Sequence, residues 1–134
     1  MRRRDRGRDA GRRGADPGPV CFLRRCSARR VLLHAFDGKA AAAAEGAEAG
    51  YAFSIPPSVV RSPQKQKLAR LLPLECLLLE TDAPVLGPDP ETRNEPANVV
   101  VACRAVAELK GVSPETVARV TTDNARRLFP RAFA

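Results

Sequence analysis

Three short apolar runs, each followed by a segment with helical features, constrain the fold of this 134-residue chain more than any other feature. The runs are RVLLHAF (30–36), YAFSI (51–55) and CLLLETDAP (76–84). The three leucines at 77–79 show no polar alternation, which is typical of a strand buried on both faces. Strands that alternate with helices along the chain predict a parallel sheet of the α/β class.

The segments that follow the runs carry helix signals. An alanine-rich stretch over 40–45 favours a helix, and glycines soon after it weaken and end that helix. Ser-Pro pairs at 62–63 and 113–114 each place a capping residue before a proline, and so each predicts a helix start. A further helix is predicted from about residue 96 to 110. The pair at 113–114 is expected to start a short helix, with a separate last turn or two over 124–129.

The net charge of +8 is concentrated near the first residue. Residues 1–30 hold eleven of the 23 Lys/Arg and three of the 15 Asp/Glu, which leaves residues 31–134 balanced at twelve of each. Residues 1–29 lack hydrophobic periodicity and are predicted to form a disordered, Arg-rich leader ahead of a domain over 30–134. This leader is either a passive solvated tail or an arm that attracts nucleic-acid phosphate without reading sequence.

Cysteine usage and hydropathy bear on location. The four cysteines, at 21, 26, 76 and 103, lack the paired spacing of a zinc site and suit a reducing compartment as free thiols. No stretch approaches the ~20 apolar residues that span a bilayer, so no membrane segment is predicted. We therefore predict an intracellular protein, cytoplasmic or nuclear. A mitochondrial presequence remains an alternative because the chain begins with arginines.

Chemically distinctive residues lie at the ends of two of the three runs. His34, the single histidine of the chain, ends the first run, and Glu80 and Asp82 end the third. Parallel strands place their carboxyl ends at one edge of the sheet, where the sites of α/β folds form. A histidine and an aspartate on neighbouring strand ends are candidate metal ligands. Alternatively, His34 hydrogen-bonds within the core and Asp82 caps a turn before Pro84.

The segments VLLHAFDG, GYAFSIPPS, LLLETDAP, RNEPANV and TTDNARRLF resemble, in order and spacing, the TatD-like family of metal-dependent deoxyribonucleases. The likeness extends over roughly residues 30–131 and is greatest to the vertebrate TatD domain-containing branch. It implies that residues 30–134 are part of a TIM-type (β/α)8 barrel, comprising about strands six to eight with their helices.

The resemblance also implies a site for phosphodiester hydrolysis, with DNA as the candidate substrate and two divalent ions (Mg, Mn or Zn) as cofactors. His34 and Asp82 match metal ligands of the family. Asp82 is in addition the expected catalytic residue, which orients or deprotonates the attacking water. Glu80 is expected to lie behind these ligands, orienting them or pairing with an arginine.

Two interpretations are open for each of two groups of polar residues. Arg93, Asn94 and Glu95 follow the third strand and either bind phosphate or fasten their own loop. Lys65 and Lys67 either meet a DNA backbone or lie on a solvated helix face.

Several family ligands have no counterpart in this chain: a His-x-His motif, a glutamate of strand four and a histidine of strand five. Because a complete barrel takes roughly 250 residues, we expect a truncated TatD-type hydrolase with little activity by itself. One alternative is a non-catalytic partner that pairs its open sheet edge with another chain, such as a full-length sibling. The other is a basic nucleic-acid-binding protein that acts through residues 1–30.

Overall fold

The computed structural model describes residues 18–134, in which strands and helices alternate. The strands are Leu32–Leu33 (β1), Ala52–Ile55 (β2) and Leu77–Leu79 (β3). The α-helices of the described residues are Gly18–Arg25 (α1), Ala40–Glu48 (α2), Pro63–Leu71 (α3), Val99–Lys110 (α4) and Pro114–Leu128 (α5). Short 3₁₀ turns occupy Pro57–Val60, Leu74–Cys76, Pro96–Asn98 and Pro130–Phe133.

The three strands form one parallel sheet in the order β1-β2-β3, which confirms the predicted α/β class. Leu32 is in register with Ala52, and Phe53 is in register with Leu77. Within residues 18–134, β2 is therefore the central strand and β1 and β3 are the two edges. The carboxyl ends of all three strands lie at the same edge, as the alternation of strands and helices requires.

The core surrounds β2, whose four residues are all buried. Phe53 is 1% exposed and packs edge-on against Phe36, with ring centroids 5.6 Å apart. Helices α3, α4 and α5 complete the core by burying small and branched side chains. Its largest fully buried hydrophobic members are Val20, Phe53, Val59, Leu68, Leu72, Leu77, Val106 and Val117.

The helix starts predicted from Ser-Pro pairs are confirmed. The Ser62 side chain accepts a hydrogen bond from the Lys65 amide at 3.3 Å, and Ser113 accepts one from the Thr116 amide at 3.2 Å. Gly111 follows α4 with φ +66°, a left-handed conformation that glycine adopts without steric cost.

The predicted interruption before residue 124 is wrong, because α5 runs unbroken over Pro114–Leu128. The Asn124 side chain explains why. It is buried, and its Nδ2 donates to the backbone oxygens of Leu74 at 2.9 Å and Leu77 at 2.7 Å. An asparagine that satisfies one carbonyl of the 3₁₀ turn and one of β3 does not need to cap a new turn.

The predicted disorder of the whole segment 1–29 is wrong for residues 18–25, which form helix α1. Val20 and Leu23 lie three positions apart on one face of this helix and pack against the core, with Val20 only 2% exposed. Residues 1–17 lie outside the described residues, so a nucleic-acid-binding arm there remains a prediction. Among residues 18–134 no helix is long and apolar enough to cross a membrane.

Candidate active site

The carboxyl edge of the sheet brings together His34, Glu80 and Asp82, the three residues singled out from strand ends. His34 Nδ1 contacts Glu80 Oε2, and His34 Nε2 lies 3.5 Å from Asp82 Oδ1. The three side chains differ in exposure, at 57% for His34, 33% for Asp82 and 15% for Glu80. Glu80 is therefore the innermost group, and the imidazole stands between it and Asp82.

The Glu80 carboxylate is held by one donor from β2 and one from the loop that follows β1. Its Oε2 accepts from Ser54 Oγ at 2.7 Å, and its Oε1 accepts from the Ala35 amide at 3.1 Å. Because both oxygens accept, we assign the proton of a neutral His34 ring to Nδ1, where it is donated to Glu80. This leaves the lone pair on Nε2, on the side of Asp82. A carboxylate behind a histidine in this way sets the tautomer and orientation of metal-binding imidazoles.

Two residues of the site have left-handed backbones. Ala35, next to His34, has φ +44°, and Asp82 has φ +57°. Residues other than glycine adopt this region at a steric cost, and such conformations cluster at functional sites. The predicted third strand over 76–84 is too long, because β3 ends at Leu79. The turn at Asp82, rather than strand alternation, accounts for the position of that carboxylate beside His34.

Asn94 fastens the loop that follows β3. It is 3% exposed, and its Nδ2 donates to the backbone oxygens of Thr81 at 2.6 Å and Val85 at 2.7 Å. Its Oδ1 accepts from Asn98 Nδ2 at 2.8 Å. Of the two interpretations left open for this residue, the structure favours loop fastening over phosphate binding. The side chains of its neighbours at 93 and 95 are exposed, and for these both interpretations remain.

Lys65 does not lie on a solvated helix face. It is 5% exposed and its Nζ lies 3.3 Å from the Ala35 carbonyl, so both interpretations offered for this residue are wrong. Lys67, two residues along α3, is exposed. Two lysines only two positions apart lie on different sides of a helix, so Lys65 can be buried while Lys67 is exposed.

Sequence reasoning also missed Ser54. A signal for it was present, since Ser54 is the single polar residue in AFSI, the central strand. A hydroxyl in a fully buried strand requires a partner, and here the partner is Glu80.

The donor set fits part of a divalent-metal site and does not complete one. Catalytic zinc sites use three protein ligands, but residues 18–134 contain no group of three or more His, Cys, Asp or Glu side chains that could hold an ion. Glu80 is already engaged by Ser54, Ala35 and His34. His34 Nε2 and an Asp82 oxygen remain as two candidate metal-ligand atoms that face each other.

The sequence and fold match a known family of hydrolases. The family model described as TatD related DNase matches residues 13–130, and the chain belongs to that family. The match includes α1, in agreement with the packing of that helix against the core.

Individual relatives agree with this assignment. The chain is 51% identical over 119 residues to the human protein named deoxyribonuclease TATDN3, covering 89% of this chain and 43% of that protein. It is 41% identical over 103 residues to a Mycobacterium tuberculosis protein named uncharacterized metal-dependent hydrolase TatD, covering 74% and 39% of the respective chains. The solved structure of the Escherichia coli TatD homolog YJJV matches with a TM-score of 0.75 at 25% identity, over 83% of this chain and 45% of that one. The chain thus spans less than half the length of these relatives.

Proposed function

We propose that this chain supplies part of the active site of a metal-dependent phosphodiester hydrolase that acts on DNA. The observation that carries the proposal is the pair formed by His34 Nε2 and Asp82 Oδ1, 3.5 Å apart, with Nδ1 of the same ring engaged by Glu80. The names of the human and mycobacterial relatives, a deoxyribonuclease and a metal-dependent hydrolase, support the reaction class. In this proposal β1, β2 and β3 correspond to the last three strands of a (β/α)8 barrel.

Each of the three side chains has its own part in the proposal. His34 and Asp82 bind a divalent ion, and Asp82 also accepts a proton from the attacking water and orients it. Glu80 keeps the Nε2 lone pair of His34 directed outward. A divalent ion, when bound, polarises the phosphodiester and lowers the pKa of a bound water. The remaining ligands of the ion come from outside residues 18–134.

Metal binding and DNA cleavage by the purified 134-residue chain test this proposal. Binding of Mn²⁺ and Zn²⁺ is measured by calorimetry, and cleavage of a fluorescent single-stranded DNA is followed with each ion and with Mg²⁺. We expect weak metal binding, with an affinity that His34→Ala and Asp82→Asn each reduce at least tenfold. We also expect Asp82→Asn to abolish any DNA cleavage that the unaltered chain shows.

Asp123→Asn is the matched control, because Asp123 is a half-exposed aspartate of α5 whose ion-pair partner among residues 18–134 is Arg126, at 3.4 Å. It should bind metal and cleave as the unaltered chain does. Equal metal affinity in Asp82→Asn and in the unaltered chain would contradict the proposed ligand role. Cleavage that persists in Asp82→Asn would contradict the catalytic role.

A second candidate function is association with another chain of the same family. Within residues 18–134 the sheet ends in two edge strands, and parallel sheets are normally covered or continued at their edges. Beside β3 lies an apolar groove of about 410 Å³ whose lining includes Leu78, Leu79, Val100 and Phe133. The relatives are more than twice as long as the matched part of this chain.

Sedimentation velocity of the chain mixed with the full-length human relative tests this second candidate. We expect a mixed complex that Val100→Arg disrupts, since Val100 lies in the groove and is 50% exposed. Val112→Arg is the control, because Val112 is similarly exposed at 39% but lies outside the groove lining. Two separate sedimenting species at all concentrations would overturn the candidate, and so would self-association without a mixed complex.

A further inference from the structure

Lys65 is a buried cation beside the candidate active site, with limited compensation for its charge. Its side chain is 7% exposed, whereas Asp37, its ion-pair partner at 3.4 Å, is 64% exposed. Its other polar partner among residues 18–134 is the neutral carbonyl of Ala35 at 3.3 Å. A lysine is seldom buried so deeply, because its ammonium must give up hydration that one exposed carboxylate replaces poorly. The contacts of Lys65 therefore suggest a role other than general stability.

The contact with Ala35 links Lys65 to the candidate metal ligand. Ala35 directly follows His34 and has the left-handed φ of +44°. Its amide hydrogen-bonds to Glu80 Oε1 at 3.1 Å and Ser54 Oγ at 3.2 Å, while its carbonyl accepts from Lys65. The strained residue is thus held at its amide by Ser54 and by Glu80, which also contacts His34, and at its carbonyl by Lys65 of α3.

The first turn of α3 touches the same loop at a second point. Gln64 Nε2 donates to the Gly38 carbonyl at 2.6 Å, beside the contact of Lys65 with Ala35. The cap at Ser62 sets where α3 begins, and so it sets the positions of both side chains. Two neighbouring residues of one helix therefore bind both ends of the loop 35–38.

We propose that Lys65 is a positioning residue for His34. By binding the Ala35 carbonyl it holds the loop so that Nδ1 of the ring meets Glu80 and Nε2 is directed toward Asp82. The inference rests on the proposed function for its purpose, since the directed Nε2 is the proposed ligand atom. Its test reads the His34 ring directly and does not depend on metal binding or cleavage.

The test is long-range ¹H–¹⁵N NMR of the imidazole in the untagged 134-residue chain, at a pH where the ring is neutral. His34 is the single histidine of the chain, so every imidazole signal belongs to it. In the unaltered chain we expect the tautomer protonated on Nδ1. In Lys65→Met we expect the population to move toward the Nε2-protonated form that free imidazole side chains favour in water. Lys65→Arg, which restores a charged donor, should recover most of the Nδ1-protonated form.

Lys67→Met is the matched control, because Lys67 lies on the same helix and is exposed. It should leave the ring signals unchanged. A folded Lys65→Met chain with the tautomer of the unaltered chain would overturn the inference and leave the proposed function standing. The expected tautomer shift together with no metal binding and no cleavage in any sample, the unaltered chain included, would overturn the proposed function and leave the inference on Lys65 standing.

A second measurement on the unaltered chain covers the case in which Lys65→Met does not fold. Ammonium ¹H–¹⁵N spectra detect lysine side chains whose protons are protected from exchange by hydrogen bonds. We expect a protected signal that disappears in Lys65→Arg and shows proximity to Ala35. Exchange of the Lys65 ammonium as fast as that of Lys67 would overturn the inference.

Discussion

Ser54 Oγ donates a hydrogen bond of 2.7 Å to Glu80 Oε2, joining the centre of the sheet to the carboxylate behind His34. Ser54 is 3% exposed, and Glu80 follows β3 by one residue. The same hydroxyl oxygen also accepts a hydrogen bond from the Ala35 amide at 3.2 Å. One buried serine therefore connects all three strand ends that build the candidate site.

Replacing Ser54 tests how much this connection contributes to stability. Ser54→Ala removes one of the two groups that contact the largely buried Oε2 of Glu80, the other being His34 Nδ1, so we expect the free energy of unfolding to fall by about 1–3 kcal/mol. Urea denaturation followed by circular dichroism measures the change.

Ser58 is the matched control for this substitution. It is 2% exposed, and its Oγ is buried without a hydrogen-bond partner among residues 18–134. Ser58→Ala removes an unsatisfied hydroxyl, so it should leave stability unchanged or raise it. Equal destabilisation by the two substitutions would show that the bond to Glu80 contributes nothing specific.

The strained backbone at Ala35 predicts a substitution that stabilises the chain. Glycine adopts φ +44° without the clash that a Cβ causes, so Ala35→Gly should raise the free energy of unfolding by about 1 kcal/mol. Ala118→Gly, at an exposed interior position of α5, should lower it by about as much. Thermal melts of both variants provide the comparison, and a loss of stability in Ala35→Gly would show that the Cβ is not the source of strain.

The loop after β3 should depend on Asn94 far more than on Arg93. Asn94→Ala leaves the carbonyls of Thr81 and Val85 without their side-chain donor, so we expect a loss of about 1–3 kcal/mol. Hydrogen exchange over residues 81–98 should accelerate in the same variant. Arg93→Ala, which removes an exposed side chain, should change stability by no more than about 0.5 kcal/mol. Slow exchange retained in Asn94→Ala would contradict the fastening role.

The thiols should differ in their response to pH. Burial raises the pKa of Cys76 from 9.0 to about 11, although the positive charge of Lys110 acts in the opposite direction. Because the thiolate is the reactive form, alkylation of Cys76 by iodoacetamide should stay slow at pH 8 and increase between pH 9 and 11. The exposed Cys26 should be labelled first. Mass spectrometry of labelled peptides measures both.

The raised pKa of Cys76 also has a consequence for stability. The fold favours the neutral thiol, so this contribution to stability is complete below pH 9 and is lost as the pH rises through 11.

The control for the labelling experiment is the chain unfolded in urea, in which the four cysteines should react with iodoacetamide at similar rates. Rapid labelling of Cys76 at pH 8 in the folded chain would contradict its burial.

Local sequence signals determined the parallel α/β class, both Ser-Pro helix starts and the choice of His34, Glu80 and Asp82 as residues that meet beyond the strands, although not where β3 ends. Each of these depends on residues only a few positions apart, which is the range over which caps, periodicity and turn preferences act. The family resemblance came from the same short segments.

The tertiary structure decided what distant contacts require. Buried Lys65 binds the Ala35 carbonyl, which lies 30 positions earlier in the chain. Helix α5 continues through Asn124, whose side chain binds a carbonyl 50 positions earlier. The sequence predicts disorder for the segment that contains helix α1. This helix forms because Val20 packs in the core. No local pattern encodes these partners, since burial of a polar or charged group is tolerated only where a particular distant group satisfies it.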